Sequence, residues 1–394
     1  MRGRDRMFER LPRDTRRCAN TSRRAGAIGV DVKMSGGILG LQRLAGNRAT
    51  ADLLHVQRQP VIEVEGVLDP QQVTGAIFYY KQKPKRYTKE VINQIQVAVG
   101  TPPKDEMDAA DVQAVAEWQR TKGSEFEPHL KVDGMAGPRT LPRMFQGGLG
   151  VSARITVYVG EMKTILDKWD ELKTPEARRL ALKAEINKHL GEVGVPDVEL
   201  TTGEGNEFDS TTWTIFIRAS AFKELPTEPA ERDRHTTALT STLYHEARHA
   251  EQAFRIAAML AGRGLTEGQI YWQTSTKKDI IKEALKPENQ LKPGTMEAAI
   301  AEGWYDSQNG ADSPKTHQVY AELNAAAKAF EAAEAAKDAN PTPENQRRYE
   351  AAVERFKAAE AAYYDLPQEN DAFRISDEIV MKFQALKKAS KSPG

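Results

Sequence analysis

At 394 residues the chain is longer than one hydrophobic core usually organises, so two or three domains are expected. Charge is balanced, with 56 Lys and Arg against 56 Asp and Glu, which argues against nucleic acid as the partner of the whole protein. No stretch approaches the ~20 apolar residues of a membrane span, and the single cysteine, Cys18, excludes both an internal disulfide and a cysteine-based metal cluster.

Residues 1–60 read as a basic arm. From Met1 to Arg58 there are 13 Lys/Arg against 5 Asp/Glu, a net of +8, the pattern of a solvated, disordered tail. No apolar run follows the basic opening residues, so a Sec-type signal peptide is not expected and the product is expected in the cytoplasm of the producing cell. Met34 offers an alternative start. Within the arm, Ile38, Leu39, Leu41, Leu44, Leu53 and Leu54 suit a short amphipathic helix broken near Gly46.

Residues 70–148 form the next unit. Helical spacing runs over 87–99, through Val91, Ile92, Ile95 and Val99, and over 108–120, through Val112, Val115, Ala116 and Trp118. Asp133-Gly134 signals a turn, and Gly137-Pro138 with Thr140 opens a third, short helix. From 151 to 390 a larger α+β, mostly helical domain is expected: helices over 159–172 and 175–193, then strands over 197–202 and 211–220. A long helix follows over 231–262, stopped by Gly262 and Gly264. Two Ala- and Glu-rich helices, 322–337 and 344–366, flank Asn340-Pro341-Thr342-Pro343 and predict a helical hairpin, an insert over about 317–366 that reads as a scaffold arm.

The chemistry concentrates on the long helix, at His245-Glu246-Ala247-Arg248-His249. Residues i and i+4 share a helix face, so both imidazoles can reach one ion, with Glu246 beside that face and free to act as a base. Zinc lowers the pKa of its water to about 7, which suits Glu246 as proton acceptor during attack on a carbonyl. Given this chain's histidine and glutamate content, the pattern arises by chance about once in a hundred such sequences. The apolar stripe Leu239, Leu243, Ala247, Ala250, Phe254 and Ala257 predicts that the histidines face away from the bulk of the core; the plain alternative is a pair of solvated histidines. A third ligand must come from a later helix. Glu302, sharing a face with Asp306, is one candidate, and Glu369, in the first turn of a helix opened by Pro367, is the other. Asp371 is a candidate to orient a ligating histidine. His55, His129, His189 and His235 are expected on the surface, while Tyr244, Arg248 and His317 lie near in sequence without an assigned role.

Three stretches resemble known families. LQRLAGNRATADLL followed by VQRQ, about 20 residues, is similar to the N-terminal tag on payload proteins of bacterial extracellular contractile injection systems, which implies an injection particle as partner and as route of export. VQAVAEWQ, VDG and GPRTL, in that order, resemble the three-helix peptidoglycan-binding domain of cell-wall hydrolases; this implies either glycan binding or a spacer, with Asp133, Gly134 and Thr140 shaping a loop. The strand followed by the HExxH helix resembles the zincin metallopeptidases, and LYHEARHAEQAFR is similar to metallopeptidase-like payload domains. The metzincin continuation is missing, because Gln252 and Arg255 stand where its glycine and third histidine would be. A gluzincin-like arrangement is implied instead, and the stretch Leu366-Pro367-x-Glu369-x-Asp371-Ala372 favours Glu369 over Glu302. The resemblance also implies that 211–220 is an edge strand holding an extended peptide, and that Tyr363 or Tyr364 donates to an oxyanion. Together these imply a zinc-dependent endopeptidase, effector- or toxin-like, acting on a peptide or protein. The alternatives are an inactive binding protein associated with cell wall or injection particle, and a zinc-dependent cell-wall amidase.

Overall fold

Side-chain caps set the first helices of the chain. In the computed structural model, which describes residues 67–123 and 129–391, α1 (Pro70–Gln82) starts with Pro70 in its first turn and a reciprocal cap between Asp69 and Gln72. Thr88 caps α2 (Lys89–Val99), which ends at Gly100 in the left-handed region. Asp108 and Asp111 cap α3 (Ala109–Thr121) reciprocally, and α4 (Leu141–Met144) follows. The basic arm and the tag-like stretch, with His55, lie outside the described residues.

The loop between α3 and α4 is organised by one buried amide. Gln119 accepts from the backbone N–H groups of Asp133 and Gly134 and donates to Asp133 Oδ1 and Thr140 Oγ1, so the three residues expected to shape this loop surround it. Gly134 sits at φ 70°, and a Cβ there would lie 2.6 Å from Val112 Cγ1, so only glycine fits. This bundle does not stand apart: its apolar side chains, from Leu68 to Leu141, join the same core cluster as the long helix and the C-terminal Phe383. Buried Arg86 reaches across to Asp306 at 2.5 Å, and Arg143 donates to Asn370 at 3.0 Å.

A short 3₁₀ turn (Gly148–Gly150) leads into α5 (Ser152–Asp167), α6 (Pro175–Glu192) and a three-stranded sheet of β1 (Glu199–Gly203), β2 (Glu207–Asp209) and β3 (Thr214–Arg218), in the order β1-β3-β2. β1 runs parallel to β3 with Leu200 opposite Ile215, and β2 runs antiparallel with Phe208 opposite that same residue. The segment expected to be an edge strand is therefore the centre of the sheet. The outer strands are β1 and β2, and β2, on the other side of β3 from β1, has three residues, too few for a period-2 pattern to reveal.

Next comes α7 (Pro229–Gly262), with Pro229 at its first position and the Glu228 carboxylate accepting from Ala230 and Glu231. It is the central element, buried on nearly every side from Leu239 to Ala261. The helices α8 (Glu267–Thr274), α9 (Lys278–Ala284) and α10 (Met296–Gln308) follow, then the hairpin of α11 (Ser313–Ala339) and α12 (Pro343–Tyr364), and finally α13 (Pro367–Lys391), which packs along α7 and α5. The hairpin has a core of its own, built from Leu323, Ala326, Phe330, Phe356 and Ala359. No described helix is long and apolar enough to cross a membrane.

Candidate metal centre

Two helices build the centre. α7 presents His245 and His249 one turn apart, and α13 brings Glu369 in its first turn to meet them. The three donor atoms form a tight triangle: His245 Nε2 to His249 Nε2 is 3.1 Å, His249 Nε2 to Glu369 Oε2 is 3.4 Å, and His245 Nε2 to Glu369 Oε2 is 3.8 Å. Donors ~2.1 Å from a common tetrahedral ion would stand about 3.4 Å apart, and the observed edges bracket that value. Contrary to the expectation from the apolar stripe, His245 is buried; it faces α13 rather than solvent, because α7 is covered on both sides. His249 alone of the three is partly exposed, with 16% of its side chain accessible.

Hydrogen bonds fix which ring nitrogens are free. Both amide protons of Gln252 are donated, to Gln368 O at 3.0 Å and Asp371 Oδ2 at 3.1 Å, so its Oε1 accepts from His249 Nδ1 at 2.9 Å. Ser376 donates its proton to Ala372 O, so its Oγ accepts from His245 Nδ1 at 3.1 Å. Both Nε2 atoms are left with lone pairs aimed at one another and at a carboxylate. Three electron-pair donors converge in an arrangement that could hold a metal ion, and two imidazoles with one carboxylate are a donor set of the kind catalytic zinc takes.

Burial opposes the charge on His249, but Glu369 outweighs it and pushes the ring up to about 9. Burial likewise works against the Glu369 carboxylate, yet the two histidines hold it well below the usual carboxylate range. Glu246 lies next to them, buried, with its carboxyl raised by burial against the opposing pull of His245, His249 and the Phe208 backbone amide on β2. Burial thus makes this carboxylate a stronger base than an ordinary exposed one, beside the three donor atoms.

The other expected residues take different places. Glu302 lies outside the triangle, paired with Arg263 at 2.9 Å and near Arg86, so the carboxylate that meets the two histidines is Glu369. Asp371 touches neither histidine; it bonds Arg248 Nε at 2.8 Å and acts on His249 only through Gln252. Tyr363 directs its single proton to Glu369 Oε2 at 2.7 Å, not towards an oxyanion, and Tyr364 bonds Glu360 at 2.8 Å. Tyr244 supports the helix by donating to Leu149 O. Arg248 is buried between Asp371 and Glu251 and stacks on Trp304.

Among the remaining histidines, His129 and His317 are exposed, but His189 is buried, with its Nε2 3.0 Å from both Glu161 and Glu185. That second cluster is cross-linked by Lys188 and reads as an ion-pair network. His235 is partly buried, and burial pulls its ring down. Sequence reasoning missed Gln252 and Ser376 as histidine partners, as well as Tyr320, which donates to Glu369 Oε1 at 2.8 Å. Gln252 lies three residues after His249 and was legible as an (i, i+3) neighbour, whereas Tyr320 and Ser376 carry no local signal. No protein-family model, curated protein or solved structure matches this chain.

Proposed function

We propose that the chain is a zinc-dependent hydrolase of peptide bonds, with His245, His249 and Glu369 as the ion's ligands and Glu246 as the general base. The convergence of two tautomer-fixed imidazoles and one carboxylate within a 3.1–3.8 Å triangle carries the reading. Three donors among the described residues, rather than four, favour a catalytic over a closed structural site. When bound, zinc would supply Lewis acidity towards the scissile carbonyl and acidify a water.

The residues of the chain do the rest. Glu246, raised by burial and held beside β2, accepts the proton of the attacking water and returns it to the departing amine. Gln252 and Ser376 hold the two rings in register. The outer strand β2, whose Phe208 amide is held by Glu246, keeps its remaining outward backbone for an extended peptide, and partly exposed His249 marks the side of approach. The tag-like stretch over residues 41–59 supports delivery by a contractile injection particle, and removing residues 35–59 should abolish co-purification with such a particle.

Elemental analysis and a casein-type assay test the reading together. The wild type should carry stoichiometric zinc and cleave; His245→Ala should lose both. Glu246→Gln should keep the zinc while activity falls by about 10²–10⁴-fold. A Glu246→Gln chain that cleaves normally removes Glu246 as base. Cleavage of muropeptides with casein left intact would move the substrate class to a cell-wall amide.

A further inference from the structure

The α11–α12 hairpin looks like an accessory arm, since most of its apolar side chains pack only on one another. Yet each arm sends one phenol to the same carboxylate. Tyr320 on α11 donates to Glu369 Oε1 at 2.8 Å, and Tyr363 on α12 donates to Glu369 Oε2 at 2.7 Å. Their rings meet edge-on at 5.5 Å, so the pair forms a clamp, not two independent contacts. Gln368 reaches the Tyr320 hydroxyl at 3.5 Å, and Phe373 packs between the His245 ring, at 4.7 Å, and Tyr364, at 4.3 Å.

We propose that Tyr320 and Tyr363 are positioning residues for Glu369, and that the hairpin is thereby a working part of the metal centre. The inference rests on the metal-centre reading above. A buried carboxylate on a first helical turn has rotamer freedom that two hydroxyl donors remove, leaving Oε2 aimed at the two Nε2 atoms. The arrangement also accounts for the long interval between His249 and Glu369: the inserted arms leave after α10, return immediately before α13, and each contributes one donor on the way. Because the coupling is reciprocal, an ion on Glu369 should in turn hold the hairpin down.

The test is zinc affinity of the full chain, by competition with a chromophoric chelator, for Tyr320→Phe, Tyr363→Phe and the double variant. Phenylalanine keeps the ring packing, and the hairpin retains its other ties, including Arg139 to Asp365 at 2.8 Å, so these chains should fold. Each single change should weaken zinc about 10–100-fold and shift the visible spectrum of the cobalt-substituted protein, while Tyr364→Phe, which frees only Glu360, should stay within about twofold of wild type. Zinc should also slow amide hydrogen exchange over residues 313–364 in the wild type and much less in the double variant. Wild-type affinity and an unshifted cobalt spectrum in both single variants would overturn the proposal and leave the metal centre standing. A wild type that takes up no zinc overturns both.

Discussion

Replacing Arg248 by methionine probes the packing that supports the centre. The guanidinium is buried; its Nε donates to Asp371 at 2.8 Å, its Nη1 to Glu251 at 2.5 Å and to Gly147 O at 3.2 Å, and its plane lies over Trp304. Methionine has similar volume but no donors, so Asp371 and Glu251 lose their shared counter-ion. Asp371 retains the Gln252 amide, and Glu251 retains Arg255 at 3.6 Å and the Leu149 N–H at 2.9 Å, so neither becomes fully orphaned. Breaking a buried ion pair from one side costs about 3–5 kcal/mol, a large share of the ~5–15 kcal/mol that keeps a domain folded. Urea unfolding followed by tryptophan fluorescence should therefore show a midpoint far below wild type, with Arg248→Lys in between because it keeps the charge and loses the fork. A loss under about 1 kcal/mol for Arg248→Met would refute the reasoning.

Three further changes test separate parts of the account. Gln252→Met removes the acceptor that orients His249, and zinc affinity should fall about 10–100-fold in a chelator competition; unchanged affinity would mean the tautomer is set elsewhere. Glu302→Gln should leave zinc binding untouched while lowering the melting temperature through its Arg263 ion pair; lost zinc would restore it as a ligand. His235 has its ring depressed below the ordinary 6.5 by burial, against a backbone bond to Ala221. Above 6.5 both folded and unfolded states are neutral there, and as pH falls below it the unfolded chain takes the proton first, so stability is lost on acidification. His235→Gln should show a smaller drop in melting temperature between about pH 7 and about pH 5, and an identical drop would count against this origin.

What the sequence reveals follows the range of the interaction. The register of His245 and His249 is a one-turn relation on a single helix, a local fact that a linear reading can reach. Pro367, by contrast, places Glu369 only in a first turn, and the choice of it over Glu302 comes from the resemblance of the stretch 366–372. The hairpin is equally legible, because Asn340-Pro341-Thr342-Pro343 interrupts two Ala-rich helices. The strand error has a local cause as well: 211–220 alternates well enough to be seen, but nothing in it says whether one edge or both are paired, and the partner β2 is three residues long. The burial of His189 against Tyr158 and the grip of Tyr320 on Glu369 depend on contacts between segments far apart in the chain. Composition and periodicity do not encode those.

The most direct test of the centre is X-ray absorption at the zinc edge of the purified protein. The account predicts one zinc per chain in a shell of only nitrogen and oxygen at about 2.0–2.1 Å, with the outer-shell scattering of two imidazoles, one of which disappears in His249→Ala. Absence of zinc, or a spectrum unaltered by that substitution, would contradict it.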